Sequence, residues 1–471
     1  MAIDKRTVGV ALLGMGCALP AAIYLWSFMV DDALISARYA ANIASGLGYR
    51  FNAGGPSTDG VTPLGWAWLL APFGAGGTLA AFHAAKVIGL LSWLCGAAAV
   101  ALAVDRMEVG RAKWAGLSLL VCSAPLGAWA VAGMETGLVL GLCALAVSAR
   151  VVGRELPSGI AAGLVAALRP ECAPWALVLA LSPPVTALPA NERGKARWRQ
   201  LALVVAPVAL VAAIRLVAFG RLTPLALLAK TPDPTLGGRY ALACLLLTGP
   251  LALVAWCGLP PWIRGLQLAT VAHFLAIAIA GGDWMPLSRL AVPALPGVVV
   301  AASYVVGRAR PAIAWPRLAL ALAGVLFVLV KIGPVAAAVG GKRMAVMDQL
   351  REPLASSQVV AALDVGWVGA VCAADIVDLA GVTDPAVAVL AGGHTSKRVP
   401  HNLLLARNVD TLVLLLAKSQ PLADPWTRSW FGRLVELDVA QMPAMAQEFE
   451  PIAQSEGALR YVVLRRKPNA D

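Results

Sequence analysis

The chain has 471 residues, of which 59% are hydrophobic and 14% charged, and its mean hydropathy is +0.75. This composition excludes an ordinary soluble globular protein and predicts a polytopic membrane protein. The net charge is +12, but 13 Lys and Arg face 14 Asp and Glu after Gly340, against 25 and 12 before it. An excess of cations confined to the membrane half is typical of cytoplasmic loops, so no nucleic-acid partner is expected.

The first apolar run, Val8 to Met29, follows Lys5 and Arg6 and is long enough to cross a bilayer. It lacks a convincing small-residue cleavage site, which favours a retained transmembrane helix over a removed signal peptide. The later basic clusters, placed in the cytoplasm by the positive-inside rule, predict about eleven transmembrane helices. The predicted crossings are 8–30, 83–104, 114–131, 135–150, 156–168, 173–189, 200–219, 236–257, 264–281, 286–307 and 317–335.

Two of these crossings, 135–150 and 156–168, are shorter than the roughly 20 residues that a span needs. The run from Thr62 to Pro72 is apolar but interrupted by Pro and Gly, and it is interpreted as an interfacial or re-entrant helix. With that choice the N-terminus is cytoplasmic and the tail beyond Gly340 lies outside a bacterial-type inner (plasma) membrane.

The sequence changes texture at Gly340 and Gly341, where short β-prone runs replace long apolar ones. The runs 359–363, 411–416 and 460–464 are separated by polar and helical stretches, which predicts a mixed α/β domain. The predicted organisation is therefore a helical membrane domain over 1–339 and an extracytoplasmic, periplasmic-type α/β domain over 340–471.

The unusual polar residues of the membrane half fall in the predicted external connections. They are Asp31, Asp32, Arg38 and Asp59 in the first, Glu135 in the second, Arg169 and Glu171 in the third, Lys230 in the fourth, and Asp283, Trp284 and Arg289 in the fifth. Because these connections share one face of the membrane, Asp31, Glu135, Glu171, Lys230 and Asp283 are expected to converge on one cavity at its outer rim.

Carboxylates and cations at an outer bilayer rim suit group transfer from a lipid phosphate. A carboxylate can take the proton of an acceptor hydroxyl, and Asp31 or Asp32 is the candidate base. Cations would hold the departing phosphate. The candidates for that role are Arg38, Lys230, Arg289 and Arg169. A divalent Mg²⁺ or Mn²⁺ ion held by Asp31 and Asp32 is an open alternative to acids that act without a metal.

Several blocks of the chain resemble the signature blocks of the GT-C membrane glycosyltransferases, and most closely those of the terminal cell-wall arabinofuranosyltransferases. The blocks are Asp31–Ala40, Gly46–Asn52, Gly133–Thr136, Arg169–Glu171, Gly281–Pro286 and Asp378–Asp384. The resemblance implies an inverting transfer of a sugar, with arabinofuranose as the sugar of that branch, from a polyprenyl-phosphate donor to a cell-envelope glycan or glycolipid. It also implies that a first-loop Asp is the base. In Asp59–Thr62 this chain has Val61 where the family has an aromatic residue.

Simpler interpretations stand beside these roles. The acid pair and Asp283 can be helix ends, and Glu135 and Glu171 can stabilise helix N-termini. Lys230 can extend from a helix end towards the interface, and Arg169 can pair with Glu171 alone. His394, beside Lys397 and Arg398, either reaches over the cavity or lies in a solvated loop, whereas His83 and His273 are expected to be helix-embedded with local partners.

Two functional classes remain at this point, a glycosyltransferase and a transporter or flippase of a lipid-linked sugar. A transporter places polar residues along a path through the membrane, often in repeated halves. The apolar runs of this chain are nearly free of acids and show no clear repeat. The sequence therefore favours the enzyme, with membrane lipids, a lipid-linked donor and a glycan or glycolipid acceptor as its partners.

Overall fold

The computed structural model describes residues 4–185, 189–230, 233–249, 258–416 and 433–468. The chain divides into two compact units. The first unit comprises residues 1–28, 85–214 and 232–337, and the second comprises 29–84, 215–231 and 338–471. The segment that follows the predicted boundary at Gly340 therefore folds together with residues 29–84 and with the short segment 215–231, which includes Lys230.

Long apolar helices confirm a multi-pass membrane protein. Within the described ranges five helices are long and apolar enough to cross a bilayer, namely Lys5–Tyr24, Thr78–Arg106, Asn191–Phe219, Pro261–Ile279 and Pro311–Leu354. A pair bent by 56°, Arg111–Cys122 with Ala124–Val131, would be a sixth span. Shorter apolar helices are Leu64–Gly74, Thr136–Val151, Glu155–Leu168, Pro170–Leu181 and Val292–Arg308. The count of eleven stays a prediction, and its crossings 173–189 and 236–257 extend beyond the described residues.

The bend in the pair follows from its sequence. Ser123 has an extended backbone, with φ −80° and ψ 90°, and its hydroxyl accepts a hydrogen bond from the N–H of Leu126 at 3.4 Å. Pro125 lies in the first turn of the next helix, where its missing N–H costs nothing. An N-cap and a proline therefore begin a new helix inside an apolar run that reads as one span.

Small residues bring the helices of the first unit into backbone contact. A Cβ added to Gly141 would lie 2.3 Å from the carbonyl oxygen of Ser92, and one added to Gly89 would lie 2.5 Å from that of Ala130. Such close approach is the usual device for packing helices in lipid, where water supplies no driving force between apolar surfaces. Other helices that lie mostly in the first unit are Ala190–Phe219, Pro234–Thr248, Leu295–Arg308 and Pro311–Lys331.

The second unit contains a five-stranded sheet in the order β2-β1-β3-β5-β4. The strands are β1 Val359–Ala362, β2 Asp375–Asp378, β3 Thr411–Leu415, β4 Phe449–Gln454 and β5 Tyr461–Arg466. β1 pairs in parallel with β2 and β3, whereas β5 pairs antiparallel with β3 and β4. This sheet confirms the predicted α/β character of the C-terminal segment.

The second unit also contains several short helices. In this unit they are Asp31–Ala44, Leu64–Gly74, Leu225–Ala229, Val365–Val371, Pro385–Ala388, His401–Ala406, Leu434–Ala440 and Pro443–Glu448, and the long Gly333–Leu354 helix enters it at Ala338. The Leu64–Gly74 helix packs on Asp31–Ala44, because Gly74 leaves room for the Ala40 carbonyl, which a Cβ would meet at 2.5 Å. At 11 residues it is about 16 Å long, half the bilayer core, as expected for an interfacial or re-entrant helix.

Candidate active site

Asp31 is the first residue of the Asp31–Ala44 helix, and its carboxylate is held by three donors. Oδ1 accepts from Arg343 Nη1 at 2.8 Å and from the N–H of Trp367 at 2.9 Å, and Oδ2 accepts from the N–H of Gly366 at 2.8 Å. Burial raises the pKa of Asp31 to about 7, while Arg343 and the two N–H groups act to lower it. All three partners are donors, which matches an acceptor-only, ionised carboxylate.

Asp32, the next residue, differs from Asp31 in exposure. Asp31 is only 5% exposed, whereas Asp32 is half-buried in the first turn of the same helix. A carboxylate at this end of a helix is stabilised by the aligned peptide dipoles. The two acids that the sequence could not distinguish therefore occupy different environments.

Arg38 lies two turns further along the same helix and points its donors at backbone carbonyls. Nε donates to Phe51 at 2.9 Å, Nη1 to Gly369 at 3.0 Å and Nη2 to Ala374 at 2.8 Å. The residue is 6% exposed. The guanidinium fastens the helix to the Phe51 loop and to the segment before β2, and its predicted phosphate-binding role stays a prediction.

Asp59 has a partner that the sequence analysis missed. Its Oδ2 accepts from Arg215 Nε at 2.8 Å, and Arg215 also donates to the Thr62 carbonyl. Asp59 is 1% exposed, and burial raises the pKa of its carboxyl. A lone arginine inside the apolar run 200–219 was the available signal, because an intramembrane cation usually marks a partner.

Lys230 follows the Leu225–Ala229 helix and is half-buried. Leu225 and Ala229 are fully buried against Ala388, which follows the Asp378–Asp384 block. The second unit thus contains three of the predicted elements, namely the acid pair, Lys230 and that block.

The other predicted acids lie in the first unit, where arginines pair with them. Arg169 Nη1 is 2.7 Å from Glu135 Oε1, and its Nε is 2.6 Å from Glu171 Oε1. Arg169 therefore pairs with Glu171, as the simpler interpretation of the sequence expected, and it also pairs with Glu135. Both pairs leave Arg169 buried, with its donors on carboxylates rather than presented to a phosphate.

Arg289 is likewise engaged within the first unit. Its Nε donates to Asp283 Oδ2 at 2.6 Å, and its guanidinium carbon lies 6.0 Å from the centroid of the Trp129 ring. Trp284 is 58% exposed. Arg289 therefore neutralises Asp283, and as for Arg169 the predicted phosphate contact would require this pair to open.

The histidines follow their simpler interpretations where contacts describe them. His273 is buried in the Pro261–Ile279 helix, with Nε2 2.6 Å from the Leu290 carbonyl oxygen. His394 is half-buried in the loop after the Pro385–Ala388 helix. Neighbouring Lys397 is 2% exposed and donates to the carbonyls of Ala388 and Leu390, so it braces that loop.

A divalent metal fits Asp31 poorly. Both of its oxygens already accept N–H donors, one of them from a guanidinium, and these donors oppose a nearby cation. Across the described residues no group of three or more His, Cys, Asp or Glu side chains could hold a metal ion. These contacts therefore give no support to the metal role predicted for Asp31 and Asp32.

The first unit also contains an apolar cavity of about 300 Å³. It is bordered by the helices Pro234–Thr248, Pro261–Ile279 and Leu295–Arg308, with Leu245, Phe274 and Val298 among its lining residues. Gln267 also lines it, and both polar atoms of its side chain are buried without a hydrogen-bond partner. The cavity suits a hydrocarbon chain.

Comparison with known proteins finds similarity among solved structures. No protein-family model matches the chain, and no curated protein matches it. Among solved structures, ArnT from Cupriavidus metallidurans bound to undecaprenyl phosphate is similar at 13% identity and a TM-score of 0.54. The match covers 99% of this chain and 98% of that one. The chain has the fold of ArnT. This likeness supports the GT-C fold expected from the sequence, while the arabinofuranosyltransferase branch is not confirmed.

Proposed function

We propose that this protein is a membrane glycosyltransferase that takes its sugar from a polyprenyl-phosphate donor at the outer face of the membrane. The likeness to ArnT, a structure that holds undecaprenyl phosphate, carries this proposal, because it spans nearly the whole of both chains. The signature blocks of the sequence add that the sugar is arabinofuranose and that the acceptor is a cell-envelope glycan or glycolipid.

Asp32 is the proposed base. Asp32 is the second residue of the Asp31–Ala44 helix and is half-buried, whereas Asp31 is 5% exposed, so Asp32 is the more accessible carboxylate of the two. Asp32 would take the proton of the acceptor hydroxyl as that oxygen attacks the anomeric carbon. The bond from this carbon to the phosphate oxygen breaks, its electron pair leaves with the polyprenyl phosphate, and the anomeric configuration inverts.

Lys230 is the proposed ligand of the donor phosphate. It belongs to the same unit as Asp32, and a lysine ammonium can neutralise a phosphate as a point charge. Arg38, Arg169 and Arg289 are further candidates, and a phosphate would have to replace the carbonyls or carboxylates that their guanidiniums face. Lys230 would stabilise the negative charge that grows on the departing phosphate.

The apolar cavity beside Gln267 is the proposed seat of part of the polyprenyl chain. Its lining is almost entirely hydrocarbon, and an isoprenoid chain offers matching surface. In the second unit, a small pocket bordered by Asn52, Thr383, Asp384 and Arg407 is the proposed place of approach for the acceptor. We expect the segment from Asp364 to His394 to guide the acceptor, and Thr383 and Asp384 are the residues of that segment named at this pocket.

Purified protein incubated with a panel of polyprenyl-phosphate sugars would test the activity directly. The proposal predicts acceptor-dependent release of the polyprenyl phosphate from one sugar of the panel. A flippase would instead move intact donor across proteoliposome membranes and release no lipid phosphate. If protein that binds the donor moves it across the membrane without releasing polyprenyl phosphate, the protein is a transporter and the proposed enzyme activity is wrong.

A further inference from the structure

Arg343 meets Asp31 at a point where three separate segments of the second unit come together. Arg343 lies in the Gly333–Leu354 helix, Asp31 is the first residue of the Asp31–Ala44 helix, and Gly366 lies in the first turn of the Val365–Val371 helix. The side chain of Arg343 is 13% exposed and that of Asp31 is 6% exposed, with 2.8 Å between Nη1 and Oδ1. Removing one partner of such a buried pair strongly destabilises the folded state, because the other charge is left uncompensated.

Two glycines let the Val365–Val371 helix lie directly on the helix that Asp31 begins. A Cβ added to Gly366 would lie 2.1 Å from the Asp31 carbonyl oxygen, and one added to Gly369 would lie 2.6 Å from Arg38 Nη1. Residues three apart share a helix face, so both glycines present the same bare surface. The helix start is thus fixed from one side by glycine backbone and from the other by Arg343.

Arg343 also interacts with the charge of a second carboxylate, Asp364. Asp364 lies next to this cluster, where it accepts from Arg433 Nη1 at 2.8 Å and from the Tyr461 hydroxyl. The negative charges of Asp31 and Asp364 act on each other and both act on Arg343. Without Arg343, the buried Asp31 carboxylate would be repelled by the charge of Asp364. This repulsion would displace the first turn of the helix that Asp31 begins.

We propose that Arg343 is a positioning residue for the transfer reaction, because it fixes Asp31 and thereby aims the adjacent Asp32 at the acceptor hydroxyl. This inference rests on the proposed function. Asp31 and Asp32 share one helical turn, so a shift of the anchor displaces the base. A misplacement of about 1 Å in a catalytic group can cost on the order of 100-fold in rate.

Steady-state kinetics of Arg343→Gln and Arg343→Lys would test the role. Arg343→Gln should lower kcat by about 10- to 100-fold and leave the KM for the donor nearly unchanged, since the phosphate ligand is untouched. Arg343→Lys, which keeps the charge, should recover part of the loss. Arg351→Gln, an exposed arginine of the same helix, is the matched control and should behave as the native chain.

A readout that needs no activity separates this inference from the proposed function. In Asp32→Cys protein, a polar maleimide reports the placement of that side chain. The proposal predicts that Arg343→Gln or Gly366→Ala changes its labelling rate by at least about 3-fold. Gly341→Ala, whose added Cβ meets nothing within 4 Å, should leave the rate unchanged.

The kinetic and labelling experiments test the proposed function and the role of Arg343 separately. If the native chain transfers no sugar, the proposed function fails, while changed labelling would still support the anchoring by Arg343. If Arg343→Gln keeps its melting temperature, native kcat and native labelling, the positioning role is overturned. A fall in melting temperature with unchanged labelling of the introduced cysteine, and with no recovery by lysine, would also overturn it by leaving a purely structural ion pair.

Discussion

Asp31 and Asp32 are neighbours at the start of one helix, yet their side chains have different environments. Asp31 faces Arg343 and two N–H groups, and Asp32 follows it with greater exposure. Both acids could be predicted as site residues, because adjacent acids after a span are costly and rarely incidental. Their division of roles could not be predicted, because Arg343 lies 312 residues further along the chain.

Asp31→Asn should destabilise the protein. Its amide would turn an NH₂ group towards Arg343 or a backbone N–H and lose the charge that balances Arg343. The expected loss is about 3 kcal/mol in the free energy of unfolding. Thermal unfolding in detergent measures it, with Asp348→Asn, which replaces an acid of the same second unit, as the control. An unchanged melting temperature for Asp31→Asn would contradict the anchoring role.

Asp378 should make the stability of the second unit depend on pH. It is fully buried and accepts from the N–H groups of Ala380 and Thr383 and from the Thr383 hydroxyl. Burial raises its pKa from 3.8 to about 6. Between about pH 4 and pH 6 the folded state keeps this proton and the unfolded state releases it, so the stability falls as pH rises through that window.

The predicted contribution of Asp378 is up to about 3 kcal/mol across that window. The difference in unfolding free energy between the native chain and Asp378→Asn should fall from about pH 4 to about pH 6 and then level off. Asp438→Asn, at an exposed position, should show no such trend. A difference that stays constant or rises with pH would exclude this burial effect.

Elements were predictable where the local pattern matched their environment. The strands β1, β3 and β5 are runs of apolar β-prone residues, and the sequence predicted all three. It missed β2, where Asp375 and Asp378 enclose two apolar residues, and β4, where Pro451 accompanies a bulge at the sheet edge. Each of these strands is stabilised by a neighbour rather than by its own pattern.

Close helix packing gives a prediction at the same scale. Gly141→Ala should destabilise the first unit by about 1 to 3 kcal/mol, because its Cβ would lie 2.3 Å from the Ser92 carbonyl oxygen. Gly16→Ala, in a helix position with nothing within 4 Å, should be neutral or slightly stabilising. The unfolding midpoints of the two variants would be measured in the same detergent. Equal midpoints would show that close packing at Gly141 does not contribute to stability.

At the scale of the whole molecule, hydropathy and charge distribution predicted a polytopic membrane protein, and the resemblance of the signature blocks predicted the GT-C fold. The positive-inside rule further predicts a cytoplasmic N-terminus and an outer C-terminal segment. A bent apolar run and several short helices explain why span counting is harder, since Ser123 and Pro125 divide one run into two helices.

Labelling from outside intact cells would test that orientation. In a chain whose eight native cysteines are replaced, Ser57→Cys should react with an impermeant maleimide, and Glu108→Cys should react only after permeabilisation. Both positions are exposed, so access to the reagent depends on the side of the membrane. The reverse pattern would invert the topology and remove the proposed outer active site.

The most direct test of the central claim is the release of polyprenyl phosphate from a polyprenyl-phosphate sugar in single-turnover reactions of native and Asp32→Asn protein. With the acceptor present, the native chain should release the lipid phosphate, and Asp32→Asn should do so about 10²- to 10⁴-fold more slowly at nearly unchanged donor affinity. Release by folded Asp32→Asn at the native rate would contradict the assignment of the base, and no release by the native chain from any donor would contradict the proposed transferase.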